Sequence, residues 1–266
     1  MIDAAVKYAK HTVKQALRGL DLDVRRFSSI NRFPPRDPCL DIGEEDRALF
    51  ESVRQRTLSG MERVYALREA VKYVARHNIP GDIVECGVWK GGSMMVVAKT
   101  LVECGVMDRK LYLFDTFSGM SEPTEVDKDY RQVTAESMLD SAKDRKETAT
   151  IWAMAPLDDV KEAMRATGYE QNNIVYVEGM VEDTLPARAP ERISLLRLDT
   201  DWFESTYHEM QHLFPRLSVG GVLLIDDYGH WQGARQAVDK YLAENNVRIL
   251  LNRIDYTGRI AVKLEA

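Results

Sequence analysis

Asp82-Ile83-Val84-Glu85-Cys86-Gly87-Val88-Trp89-Lys90-Gly91-Gly92-Ser93 holds the boundary between two elements. Its first residues form a short apolar run, as in a strand buried on both faces of a parallel sheet. Gly87, Gly91 and Gly92 allow a tight turn and let a ligand approach the backbone. Ser93 stands where it could cap the helix that follows, predicted over Gly92 to Glu103.

The same alternation continues downstream. Further apolar runs are Leu111 to Asp115, Ile174 to Glu178, Ser194 to Asp199 and Val222 to Asp226. Between them, helical spacing predicts helices over Leu157 to Thr167, Ser205 to Leu217 and Gly233 to Glu244. Val247 to Ile254 and Arg259 to Val262, joined across Tyr256-Thr257-Gly258, predict a closing hairpin. Alternating strands and helices specify a doubly wound α/β fold with a mostly parallel sheet. Ser118 to Ala149 is polar and too long for an ordinary connection, which marks it as a lid or substrate-binding insertion.

Upstream of Gly81 the character differs. Helical patterns run from Glu44 past Glu51 and from Met61 to His77, with Val64, Leu67, Val71 and Val74 on one face. Arg32 to Pro38 is proline-rich and must be a loop or an extended arm. The expected organisation is an N-terminal helical arm over 1–78 and one α/β domain over 79–266, carrying the insertion 118–149.

Each predicted strand ends in an acid: Glu85, Asp115, Glu178, Asp199 and Asp226. Ligands of open parallel sheets bind at the carboxyl ends of the strands. Clustered like charges are costly unless a cation or a hydroxyl-rich ligand uses them. The turn after the first strand lacks both the G-x-G-x-x-G and the G-x-x-x-x-G-K-[ST] spacings, which argues against nicotinamide enzymes and nucleoside triphosphatases. Asp115 stands where an acid accepts hydrogen bonds from ribose hydroxyls. With Glu85, it suggests a nucleoside cofactor without a pyrophosphate, and S-adenosylmethionine fits. Asp199-Thr200-Asp201 and Asp226-Asp227 end neighbouring strands, so their oxygens can converge on Mg²⁺, or less favourably Mn²⁺ or Ca²⁺. Asp201 and Asp227 could instead be solvated turn residues.

The motifs VECGVWKGGS, LYLFDTFSGM, VEGMVEDTLP, LRLDTDWFEST and GGVLLIDDY, in that order from about Gly81 to the C-terminus, resemble the macrocin O-methyltransferase family. A more distant likeness is to the Mg²⁺-dependent catechol O-methyltransferases. Trp202 stands where those enzymes place a lysine. The resemblance implies a Rossmann-like class I methyltransferase with a seven-stranded, mostly parallel sheet, a C-terminal antiparallel hairpin and an N-terminal helical extension. It implies that Glu85, Cys86, Gly87 and Ser93 line the methionine part of S-adenosylmethionine. Asp115 would hold the ribose, Thr116, Phe117 and Ser118 would follow it, and Gly179, Val181 and Glu182 would lie by the adenine. Asp199, Asp226 and Asp227 would bind Mg²⁺, and Asp199 would also face the cofactor.

For the base that deprotonates an acceptor hydroxyl, Asp199 ranks first, Asp201 second and His230 third. Trp89, Trp202, Phe203, Tyr228 and Trp231 fall near strand ends, where they could stack on a sugar or aglycone or simply pack. The acceptor implied is a small-molecule hydroxyl, most naturally a glycoside. The alternatives are a phenolic or catechol hydroxyl, a non-catalytic nucleoside-binding module, and a glycosyltransferase reading of Asp199-Thr200-Asp201.

Composition agrees with a globular enzyme: 266 residues, 45% hydrophobic, 29% charged. A net charge of -6 supplies no basic face for a phosphate backbone, so no nucleic-acid partner is expected. Three cysteines, Cys39, Cys86 and Cys104, form no CxxC pair and fit a reducing compartment. Met1 to Leu20 is broken by Lys7, Lys10, His11, Lys14 and Arg18 and does not read as a signal peptide. A cytoplasmic homo-oligomer, dimer or larger, without membrane contact is expected.

Overall fold

A computed structural model describes residues 39–146 and 150–265. Residues 1–38 of the expected arm, Arg32 to Pro38 among them, and the last three residues of the expected insertion lie outside the described residues. No described helix is long and apolar enough to cross a membrane.

The sheet among the described residues has strand order β3-β2-β1-β4-β5-β7-β6. The strands are β1 (Asp82–Cys86), β2 (Leu111–Asp115), β3 (Ile174–Glu178), β4 (Ile193–Leu198), β5 (Leu217–Ile225), β6 (Asn252–Arg253) and β7 (Arg259–Val262). The first five run parallel, and β7 returns antiparallel against β5. The expected hairpin is present but short: only Asn252 and Arg253 pair with β7, and Val247 to Leu251 runs outside the ladder. The helix expected to reach Leu217 stops at Leu213; a 3-10 turn over Phe214–Arg216, containing Pro215, leads straight into β5. Proline lacks the amide hydrogen that would continue the helix.

The helices are α1 (Glu44–Val53), α2 (Met61–Arg76), α3 (Gly92–Glu103), α4 (Ala135–Ser141), α5 (Leu157–Arg165), α6 (Val181–Thr184), α7 (Phe203–Leu213) and α8 (Gln232–Glu244). Successive strand residues face opposite sides of the sheet, and each side has its own core. Ile83, Leu111, Leu113, Leu195, Val222 and Leu224 pack with α1, α2, α3 and α5. Val84, Cys86, Phe114, Leu196, Leu198 and Ile225 pack with α7 and α8. Val64, Leu67, Val71 and Val74 of α2 are all buried in the first core. Residues 42–78, grouped by their sequence with the arm, therefore contain core elements of the sheet domain.

The insertion after β2 is tied down by two fully buried aspartates. Asp127 accepts from the amides of Phe203 (2.8 Å) and Thr124 (2.7 Å), and Asp129 bridges to Trp231. Gly233 makes room for this anchor, since a Cβ there would lie 1.8 Å from Asp127 Oδ1. Leu139 of α4 packs on Trp202 and Trp231, whose rings meet edge to face at 4.9 Å. Trp202 is only 1% exposed and Trp231 only 4%, so both are core residues that seat the insertion.

One buried carboxyl has no counter-ion among the described residues. Glu209 of α7 is 0% exposed and lies against Cys86 and Thr200, with no cation paired to it among the described residues. Burial pushes its carboxyl well above the usual carboxylate range. A raised folded pKa means that the folded chain holds the proton more tightly than the unfolded one. Stability from this group is therefore full below the ordinary glutamate range and falls as pH rises toward the folded value. Glu209→Gln keeps the shape and removes the titration. Urea midpoints between pH 4 and 9 should fall less with pH for Glu209→Gln than for the wild type; parallel curves would exclude a contribution from Glu209.

Candidate functional site

The register of three strands builds the centre of the site. Glu85 of β1 lies opposite Arg197 of β4, and Arg197 lies opposite Leu224 of β5. With a side-chain period of two, Glu85, Arg197, Asp199 and Asp226 project from one face at the carboxyl end. Arg197 collects them. Its Nη1 donates to Glu85 Oε1 and Asp199 Oδ2, both at 2.6 Å, and its Nη2 donates to Asp226 Oδ1 at 2.6 Å and Ser59 Oγ at 3.1 Å. Burial would lower the guanidinium pKa, but Asp199, Asp226 and Glu85 outweigh it and hold the group charged.

The cation expected at the strand ends is thus, in part, the protein's own. Arg197 sits inside the apolar run Leu195-Leu196-Arg197-Leu198. A charge in a strand buried throughout was the sequence signal for it. A second guanidinium, Arg63 of α2, donates from Nη1 to Asp226 Oδ2 and pairs through Nε with Asp255 at 3.1 Å. The five strand-end acids divide. Glu85, Asp199 and Asp226 share Arg197. Asp115 serves a turn, and Glu178 on the edge strand is exposed.

Asp227 and Asp201 complete the acidic group. One oxygen each of Asp199, Asp226 and Asp227 lie within 4.8 Å of one another. Asp227 Oδ2 is buried and has no hydrogen-bond partner. Burial, reinforced by Asp201 and Asp226, pushes Asp227 well upward. Burial also raises Asp199 against the pull of Arg197, whereas Asp226, held by Arg197 and Arg63, is lowered despite its burial. Asp201 is pushed up to about 7, chiefly by burial. Its backbone lies in the left-handed region at φ 70°, uncommon for a residue with a Cβ. It lines the cavity beside Asp227 and is not a solvated turn residue.

The neighbouring floor is made by the β1 turn. Gly87 has φ 80°, and a Cβ there would lie 2.0 Å from the Asp199 carbonyl oxygen, so only glycine permits this approach of two strand ends. Asp115 fixes the turn: Oδ2 accepts from the amides of Val88 (2.7 Å) and Trp89 (2.9 Å), and Oδ1 from Phe117 (2.7 Å). Ser93 does not cap α3. The N-cap is Gly91, in the left-handed region, and Ser93 lies one residue inside the helix. A cavity of about 450 Å³ runs from this floor to the aspartates, a size suited to small ligands.

Of the residues singled out by sequence, Gly87, Ser93, Asp115, Thr116, Gly179, Val181, Glu182, Asp199, Asp201, Asp226, Asp227 and His230 line that cavity. The others do not. Glu85 lies beneath it on Arg197, Cys86 faces the opposite core, Phe117 is buried in the first core and Ser118 is exposed. His230 is half-buried; burial lowers its pKa, and its Nδ1 lies 3.0 Å from Tyr256 Oη. Residues not foreseen enter from the segment before α2 (Arg56, Thr57, Leu58, Ser59), from Arg63 and from the turn at Tyr256-Thr257.

A family model described as Macrocin-O-methyltransferase (TylF) matches residues 43–261. A Streptomyces olivaceus protein, 8-demethyl-8-(2,3-dimethoxy-alpha-L-rhamnosyl)-tetracenomycin-C 4'-O-methyltransferase, is 34% identical over 202 residues, covering 76% of this chain and 73% of its own. Mycinamicin III 3''-O-methyltransferase of Micromonospora griseorubida is 30% identical over 202 residues, 76% of each chain. The solved structure of the O-methyltransferase NovP has a TM-score of 0.67 at 28% identity, covering 79% of this chain and 83% of that one.

Arg197→Met would leave Glu85, Asp199 and Asp226 without their shared counter-ion, Asp226 alone keeping a second one in Arg63. Removing one member of a buried ionic group costs about 3–5 kcal/mol. Chemical denaturation should show a loss of that order. A change below about 1 kcal/mol, the scale of an exposed pair, would mean that Arg197 does not hold the strand ends together.

Proposed function

The chain belongs to the macrocin-O-methyltransferase family, and from that premise we propose that it methylates a sugar hydroxyl of a glycosylated natural product, using a divalent ion held by Asp199, Asp226 and Asp227. It is an O-methyltransferase whose methyl donor is S-adenosylmethionine. The sugar acceptor is supported by relatives such as the tetracenomycin enzyme, named for a rhamnosyl substrate.

The observation that carries the metal reading is the unpartnered, buried Asp227 Oδ2 beside the oxygens of Asp199 and Asp226. These are hard oxygen donors, and the acids outnumber the guanidiniums that face them, so a Mg²⁺-like ion fits the residues present. When bound, such an ion lowers the pKa of a coordinated hydroxyl and fixes its position.

The chain's own residues supply binding, alignment and proton removal. The sulfonium methyl is already activated, so alignment of the acceptor oxygen behind it is the main requirement. The Gly87 turn and Asp115 form one wall, where Asp115 braces the turn through three amides and would keep one acceptor site, on Oδ1, for a ribose hydroxyl. The insertion, with Met120 and Met138 in the cavity wall, would cover the acceptor. Asp201 is the favoured base. It lines the cavity beside Asp227 and no guanidinium among the described residues contacts it, whereas one oxygen of Asp199 is committed to Arg197. His230 can orient the acceptor from the rim.

Incubation with labelled S-adenosylmethionine and a panel of glycosides and catechols tests the acceptor class. One methyl should appear on glycosides; transfer to catechols alone would overturn the sugar assignment. Asp115→Ala should weaken S-adenosylhomocysteine binding about tenfold or more by calorimetry, on the scale of a lost charged hydrogen bond. Chelation should abolish turnover and Mg²⁺ restore it. Asp201→Asn should lower kcat by about 10²–10⁴-fold with metal and cofactor binding retained. Full activity of Asp201→Asn would move the base elsewhere, and full activity in verified absence of metal would exclude a catalytic ion.

A further inference from the structure

Arg63 holds a place in the acidic group that differs from that of Arg197. Arg197 belongs to β4 and is locked among Glu85, Asp199, Asp226 and Ser59. Arg63 reaches in from the first turn of α2, outside the sheet. Its side chain is 13% exposed, and it touches the group at one point only, through Nη1 on Asp226 Oδ2. Its remaining contacts lie elsewhere: Nε pairs with Asp255 at 3.1 Å, and Nη2 reaches the Leu58 carbonyl at 3.4 Å. The turn is shaped around its stem, because a Cβ on Gly258 would come within 3.0 Å of Arg63 Cδ.

The consequence falls on Asp226. Its Oδ1 carries Arg197 and its Oδ2 carries Arg63, so both oxygens are engaged by guanidinium groups. Asp227, adjacent in sequence, instead has a buried oxygen with no partner. Within one set of three converging carboxylates, one is doubly occupied by cations and one is open.

We propose that Arg63 is a tethered cation occupying the Asp226 position of the divalent-metal site, and that an incoming ion must displace it from Asp226 Oδ2 while Asp255 retains it. The proposal rests on the reading that Asp199, Asp226 and Asp227 hold a metal. Metal loading is then an exchange of one positive group for another. The device keeps the acids compensated without metal, at the expense of metal affinity. Asp255 makes the exchange possible, since the displaced guanidinium keeps a carboxylate partner.

Binding of Mn²⁺ to metal-free protein, by calorimetry and by loss of the free-ion electron paramagnetic resonance signal, tests this without turnover. Arg63→Met removes the competing charge while keeping an apolar stem, and Arg63→Gln serves if the methionine variant folds poorly; S-adenosylhomocysteine binding checks the fold of each. Both should bind Mn²⁺ about tenfold or more tightly than the wild type, the equivalent of about 1.4 kcal/mol. Asp255→Asn, which weakens the alternative seat, should shift affinity the other way. Asp227→Asn in the Arg63→Met background should lose the gain, placing the ion at the aspartates. Mn²⁺ binding by the wild type with equal or weaker binding by both Arg63 variants would overturn the exchange alone. Absence of binding in every protein would overturn the metal reading and the exchange with it.

Discussion

A guanidinium buried among three carboxylates sets the geometry of the whole carboxyl edge. Removing a charge from water costs several kcal/mol, and only close, well-directed partners offset it. Arg197 meets that requirement by drawing Glu85 from β1, Asp199 from the end of β4 and Asp226 from the end of β5. The three strands must therefore stop in register, and their ends cannot splay. The close approach of Gly87 to the Asp199 carbonyl is the backbone counterpart of the same constraint. A side chain at 87 would force apart strand ends that the arginine holds together.

The two faces of the sheet divide the labour. One side of the strands carries Glu85, Arg197, Asp199 and Asp226 and opens into the cavity; the other carries Cys86, Leu198 and Ile225 into the core beneath α7 and α8. The cavity side also receives the residues before α2 and the turn before β7, so sequence-distant segments become its rim. Thr257 Oγ1 donates to the Asp226 carbonyl at 2.7 Å, and the Gly229 amide donates to the Thr257 carbonyl at 2.9 Å. The aspartate loop and the β6–β7 turn are in this way one packed unit.

The elements of the sheet were largely legible because apolar runs and helical spacing are local signals. The bounds of β2, β3, α3 and β7 coincide with the expected ones. Three of the cavity's acids, Asp115, Asp199 and Asp226, were legible because each was read at the end of a strand. Its cations were not read. Arg197 looked like one polar residue within an apolar run, and Arg63 like one of several charges on an amphipathic helix. Their roles depend on which strands become neighbours and on how α2 crosses the sheet, which no local pattern specifies. For the tryptophans, nearness to a strand end left stacking and packing both open, because it does not say which way a side chain faces; Trp89 and Trp231 line the cavity and Trp202 is buried. Trp202 and Trp231 turn inward to seat the insertion.

The same charges decide what the site can accept. Glu85, Asp199, Asp201, Asp226 and Asp227 face Arg197 and Arg63, so the acids exceed the fixed cations. Asp226, touched by both arginines, is the one whose pKa is depressed. The others are raised, chiefly by burial, including Asp199 despite its contact with Arg197. Like charges at this separation cannot all remain ionised in a buried site, so the surplus must be met by protons or by an added cation. Protons would silence the carboxylates best placed to act on a hydroxyl. A divalent ion would leave them ionised and bring the hydroxyl to them. On the proposed reading, the excess of acid over arginine is what would draw an added cation, and with it an acceptor hydroxyl, to these carboxylates.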